Sequence, residues 1–449
     1  MISHAVSCVL LLAAARAQDT RHVTEPVVPP ACKTLTAGLG LEDVESNESQ
    51  LDTSRIQQGL DQCPSGHAVE LKSDGARNAF LSGPLELPTG VTLLVDEGVT
   101  LFASRNPRFY DVSPDRCGTI DDRGHGCRAL INGDHVHDAG VMGGGAIDGL
   151  GGAKISGQSI TWWELADKAR AGGTQNNPRL IILSHCDNFT LYRIRLKNSP
   201  NFHVSYAEGN GFTAWGVVID APKKARNTDG IDPANSTNVT IAHSFIRTGD
   251  DQVAIKAGRG APTAHMTIAH NHFYTGHGMS IGSETDGGAS AIRVQDLSID
   301  GADNGIRIKS NSSRGGLVRD VVYEDVCIRA TKNPILIDTH YTPLGKETGR
   351  IPVFQDIALV GVRILDGGKI TLDGFDREHP LRMAFDGVFL HSPAAVQMAA
   401  AHADLAMRSG GTNIPLSGED VHIEGPVQSH AGGSVPNSSA EKFVAFPEN

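Results

Sequence analysis

The chain has 449 residues, 39% hydrophobic and 20% charged, which is enough to build a sizeable core and excludes a disordered polypeptide. Fifty-one glycines and an aromatic content of 5% favour a turn-rich β architecture over a helical bundle. The formal net charge of −12 opposes a polyanionic partner at long range unless cations are gathered locally.

Residues 5–15 form an apolar run that ends in Ala15-Arg16-Ala17, the pattern of an export signal cleaved after Ala17, although no Lys or Arg precedes it. No later stretch reaches the roughly 20 apolar residues that span a bilayer. The expectation is a secreted protein, extracellular or periplasmic, with residues 18–449 as one domain. Cys8 falls in the signal. Of the other six cysteines, Cys32 with Cys63 and Cys117 with Cys127 suit disulfides, Cys186 and Cys327 read as buried thiols, and none has metal-binding CxxC spacing.

Residues 52–63 place Ile56 and Leu60 one helical turn apart and predict a short N-terminal amphipathic helix. From 90–102 to 351–364 the chain is written in brief β-rich runs separated by Gly, Asn and Asp, and no helical period returns before about 395–408. The runs repeat. Thr240-Ile241-Ala242-His243 matches Thr267-Ile268-Ala269-His270 at a shift of 27 residues, and Thr248-Gly249 matches Thr275-Gly276 at the same shift. Val253-Ala254-Ile255-Lys256 aligns with Ile306-Arg307-Ile308-Lys309, and residues 180–204 look like an earlier copy. A repeat of this length, made of short strands and turns that cannot bury a face alone, predicts a solenoid, here an all-β parallel β-helix with coils about 4.8 Å apart. Its coils are recognisable over about residues 85–390.

Coil spacing converts sequence offsets into neighbours. The 27-residue shift sets His277 over Asp250, and Asp229 precedes Asp251 by 22 residues, about one coil. Arg307 and Lys309 follow a coil later, sharing a face while Ile308 points inward. Asp229, Asp250, Asp251, His277, Arg307 and Lys309 would thus line one cleft wall, with Lys256 at its edge. Crowded carboxylates cannot all ionise freely, so one becomes a proton donor while another stays a base. That is the requirement of glycoside hydrolysis. A histidine can tune the acid, and Arg and Lys suit an anionic sugar. Taken singly the signals are ordinary turn and surface residues; their joint register gives them weight.

Asn227-Thr228-Asp229, Gly249-Asp250-Asp251, Gly276-His277-Gly278 and Arg307-Ile308-Lys309 together resemble the four motifs of the polygalacturonases, the pectin-degrading glycoside hydrolases of family 28, in the family's order and spacing. The resemblance covers roughly residues 50–390 and implies a right-handed parallel β-helix and single-displacement hydrolysis with inversion. It implies Asp250 as general acid, Asp229 and Asp251 as activators of the water, and His277 as support for the acid. Arg307 and Lys309 would grip the galacturonate carboxylate, with Asn227 and Tyr341 also binding substrate; Lys256 is expected to bind it through its alignment with Lys309 rather than through the resemblance. A 5 Å coil spacing by itself suits retention rather than inversion, so inversion comes from the resemblance.

Other patterns are weaker. Gly278-Met279-Ser280-Ile281-Gly282 fits a nucleophile elbow but precedes a β run instead of a helix. His135/His137 and His270/His272 lack further metal ligands in sequence. No cofactor or metal is expected, nor a nucleic-acid or membrane partner; the expected partner of this monomer is anionic galacturonan. Still open are an exo-acting, rhamnogalacturonan or xylogalacturonan hydrolase, a lyase, and a β-helix that binds polysaccharide without cutting it.

Overall fold

The computed structural model describes residues 18–342, 348–425 and 442–448; the export signal expected over residues 1–17 lies outside the described residues. The chain divides into two compact units. One comprises Val23–Asp232 with Ile246–Asp250, and the other the remaining described residues.

In the first unit the strands stack parallel, coil upon coil, in three columns. Val69, Leu93, Val141, Leu191 and Ala214 are register partners down one column, and Phe80, Leu101, Ile147, Leu196 and Ile219 down a second. Leu85, Ile131, Ile181 and Val204 form the third. All of these side chains are buried. Each aliphatic one contributes about 1.5–3 kcal/mol by leaving water. A single coil would leave its inward row exposed, so the fold is stable only as a stack.

The second unit repeats the plan. The match seen in sequence is a ladder: Thr240, Ile241 and Ala242 pair with Thr267, Ile268 and Ala269. The column continues from Ile268 through Val294, Tyr323 and Leu359 to Phe385. A second column runs Ile255, Ile281, Ile308, Ile337 and Leu372. The parallel β-helix expected from the repeat is the observed fold.

Bends of the coil are turned by residues in the left-handed region, among them His135 (φ 54°), His185 (52°), His243 (54°) and, within the strand Thr263–Phe273, His270 (58°). Histidines at successive bends stack, His135 on His185 at 4.4 Å and His243 on His270 at 4.9 Å between ring centroids. His270 Nδ1 also meets Asp296 Oδ2 at 2.7 Å, and His272 Nδ1 meets Ser298 Oγ at 2.7 Å. These histidines are rungs of the stack.

The helix expected over 52–63 is Thr53–Gln62, burying Ile56 and Leu60. Cys32–Cys63 and Cys117–Cys127 are bridged, and Cys186 and Cys327 are buried thiols. The helical period near 395–408 is not a helix: Val396–Met407 is a strand pairing with Gly368–Asp373, Leu381–Asp386 and Glu419–Glu424. Alanine's helix propensity yields there to a period-two face of Ala403, Leu405 and Met407 that covers the preceding coil. A seven-residue helix, Trp162–Lys168, was not expected; it is opened by a capping box between Thr161 and Glu164. No described helix is long and apolar enough to cross a membrane.

Candidate active site

The first unit carries Asn227, Asp229 and Asp250. Asn227 sits at φ 55°, a left-handed position that asparagine tolerates. Its Oδ1 accepts from Gln175 Nε2 at 2.9 Å, and its Nδ2 approaches Asp250 Oδ2 at 3.5 Å. The buried Thr228 hydroxyl donates to the Ala225 carbonyl (2.7 Å) and accepts from the Gly249 amide (2.9 Å), which fixes residues 227–229 against 249–250. Only glycine fits at 249, because a Cβ there would lie 2.1 Å from the Ala225 carbonyl oxygen. The chain bends at Gly249 and Asp250, the corner that two adjacent aspartates require, and Val253 and Ile255 then resume the buried strand face.

Asp229 is buried. Its carbonyl accepts from both the His203 amide (2.8 Å) and His203 Nδ1 (3.0 Å). Burial pushes the pKa of His203 down to about 4. The ring is therefore neutral at physiological pH, and because it faces a carbonyl its hydrogen resides on Nδ1.

The second unit carries Asp251, His277, Arg307, Lys309, Lys256 and Tyr341. Asp251 is buried and held on all sides. Arg307 Nη1 lies 3.0 Å from its Oδ1, Lys309 Nζ 2.8 Å from its Oδ2, and Ser280 Oγ donates to Oδ1 at 2.7 Å. Burial alone would raise this carboxyl, but Lys309 and then Arg307, with the hydrogen bonds from Lys309 and Ser280, outweigh it and hold Asp251 well below the usual carboxylate range. Arg307 and Lys309, expected on a cleft wall, are only 7% exposed each. Tyr341 closes the group: Arg307 and Lys309 lie 5.4 and 5.5 Å from its ring centroid, and Arg307 Nη2 approaches its hydroxyl at 3.4 Å.

His277 is half-buried, with Nε2 3.9 Å from Asp303 Oδ2. The glycine after it is obligatory, since Gly278 has φ 96° and a Cβ there would lie 2.3 Å from the Asn304 carbonyl oxygen. The coil offset is 27 residues at Ala242 and Ala269 but 26 at Val253 and Met279, so one residue is dropped between them. Counted back from the later strands, His277 falls level with Asp251, one residue on from the Asp250 given by the 27-residue shift.

Lys256 shares its column with Gly282 and Lys309, two coils from the latter. Its charge acts on Glu284: against the pull of burial, Lys256 and Arg314 hold that carboxyl below its ordinary value. Sequence reasoning missed Gln175, His203, Ser280 and Asp303. Of these only Ser280 was within reach, since it pairs with Arg307 in register and must share its outward face.

The chain is 45% identical over 391 residues to an endo-polygalacturonase of Pectobacterium parmentieri, covering 87% of this chain and 94% of that protein. It matches the solved structure of a polygalacturonase from Erwinia carotovora ssp. carotovora with a TM-score of 0.78 at 41% identity, over 91% of this chain and 100% of that one. An exopolygalacturonase structure from Thermotoga maritima shares the fold at a TM-score of 0.68 and 18% identity, over 94% of this chain and 97% of that one. With residues 68–400 matching the model of the glycosyl hydrolases family 28, the chain belongs to that family and is a glycoside hydrolase.

Proposed function

We propose that this hydrolase is exported and cuts the α-1,4 bonds between galacturonate residues of the pectin backbone, internally, by single displacement with inversion. The observation that carries the reading is the carboxylate clamp at Asp251, in a chain with near-full-length likeness to an endo-polygalacturonase. An aspartate kept ionised is fit to polarise water and unfit to donate a proton. The acid is therefore Asp250, half-exposed and next to Asn227. In the reaction water attacks the anomeric carbon as the bond to the leaving oxygen breaks. Asp250 protonates that oxygen, and the proton of the water passes to the Asp229 and Asp251 pair. Arg307 and Lys309 have two tasks, keeping Asp251 charged and drawing in the sugar carboxylate, with Tyr341 beneath them. His277 supports the acid, and Asn227 and Lys256 bind the chain. Two disulfides support an oxidising destination such as the periplasm or the exterior.

The test is incubation with polygalacturonate, following reducing ends and product sizes. The wild type should give a ladder of oligomers, with no unsaturated product absorbing in the ultraviolet and no loss of activity in chelator. Asp250→Asn should lower kcat by about 10²–10⁴-fold with thermal unfolding unchanged. Normal turnover in that variant would refute the assignment of the acid, and monomer alone as product would refute internal cleavage.

A further inference from the structure

The unit that carries Asn227 also contains a cavity of about 500 Å³, lined by Arg179, Phe202, His125, Gln175 and Asn201 besides Asn227 itself. That volume lies within the usual range of ligand sites, about 300–1,000 Å³. Arg179 has the most unusual position in it. Its guanidinium stacks over the Phe202 ring at 4.7 Å. Among the described residues the guanidinium makes no hydrogen bond and has no carboxylate within ion-pair distance. Asp229 and Asp232 favour its charge only from farther off, and desolvation by burial lowers its pKa below the usual arginine value.

Arg179 is partly buried, at the wall of the cavity; a cation drawn partly out of water is costly unless a partner repays the loss, and a purely structural arginine finds one within the protein. The walls around Arg179 are already fixed. Gln175 is tied to Asn227, the Asn201 Oδ1 accepts the Phe202 amide at 2.8 Å, and the neighbouring Asn177 donates from Nδ2 to the Trp162 and Pro200 carbonyls at 2.7 and 3.0 Å. A planar fork of N–H groups held on an aromatic face, in a polar cavity, matches a carboxylate. The presence of Asn227 in the same lining joins the cavity to the path of the substrate.

We propose that this cavity is a uronate subsite in which Arg179 receives the carboxylate of a galacturonate residue of the chain bound at Asn227. The assignment rests on the polygalacturonate reading given above. It adds a determinant of affinity for the unesterified polymer separate from Arg307 and Lys309. A methyl ester at that sugar removes the charge Arg179 binds, so partly esterified pectin should bind in registers that leave this position free acid.

The experiment compares wild type, Arg179→Gln and His125→Asp in the full chain, by steady-state kinetics on polygalacturonate and by calorimetric titration of digalacturonate into each variant combined with Asp250→Asn. Arg179→Gln should raise KM and the digalacturonate Kd by about tenfold or more, with a smaller change in kcat. His125 is exposed and senses the charge of Arg179. A carboxylate placed there should compete for the guanidinium and raise KM while leaving Arg179 and its stacking in place, which keeps the proposal testable should Arg179→Gln misfold. An active wild type with KM and Kd unchanged in both variants would overturn the subsite alone. A wild type that releases no reducing ends from polygalacturonate would instead refute the substrate on which the subsite depends.

Discussion

Asp251 shows how one residue's surroundings decide its chemistry. Its folded pKa is depressed, so the stability it contributes is fully present above the ordinary carboxylate pKa of about 4 and is lost as the pH falls through the lower folded value. Replacing it with asparagine leaves two buried cations facing a neutral amide, which should cost about 3–5 kcal/mol at pH 7. Urea unfolding of wild type and Asp251→Asn at pH 7 and pH 3 should therefore give a gap that narrows on acidification. A gap independent of pH would mean that the carboxylate is not held charged. The partner that completes the clamp, Ser280, lies in the G-x-S-x-G pattern. It sits in the strand Met279–Ile281, not at a strand-to-helix turn, and serves Asp251 as a hydrogen-bond donor.

At the scale of the elements, the coil is the unit of both fold and error. The strand ladders could be read in sequence because the same residue types recur where the same inward face is buried, as Thr240-Ile241-Ala242 over Thr267-Ile268-Ala269 shows. What the repeat could not give is the length of the corners. The change from 27 to 26 residues lies between two well-registered strands, and it decided whether His277 counted with Asp250 or Asp251. The helix Trp162–Lys168 has too few turns to display a period, and the alanine-rich strand at Val396–Met407 has a helical composition that the packing overrules. The corners also impose conformations. Gly278→Ala should destabilise the protein by at least about 2 kcal/mol in urea unfolding, from the left-handed backbone and the contact with Asn304. Gly258→Ala, where a Cβ would meet only Asn235 Oδ1 at 3.4 Å, should cost much less. Equal losses would remove the steric argument for the glycine after His277.

For the molecule as a whole, a net charge of −12 is at odds with an anionic substrate, and the resolution has to be local. Several cations that sequence places near the motifs are already engaged: Arg307 and Lys309 with Asp251, Arg259 with Asp286 at 3.4 Å, Arg226 with the Ala166 carbonyl at 2.8 Å. If attraction near the motifs governs binding, raising ionic strength from 0.1 to 0.5 M should raise KM for polygalacturonate by about threefold, since screening then acts within a few Å. A KM that falls with salt would mean that repulsion by the acidic body dominates. The motif residues themselves were legible because they are short, charged and set at coil intervals. Their supports were not: Gln175, His203 and Arg179 lie in or beside loops of irregular length, where offset carries no information about distance.

The dropped residue near Asp251 has a practical meaning. A strand cannot gain or lose one residue without turning its buried row outward, whereas this corner absorbs the change and both flanking ladders stay in step. Length variation is therefore cheap at the bends and prohibitive between them. A designer who wished to alter which polymer this scaffold accepts would lengthen or trim the bends next to Asn227 and His277, and could leave the stacked interior untouched.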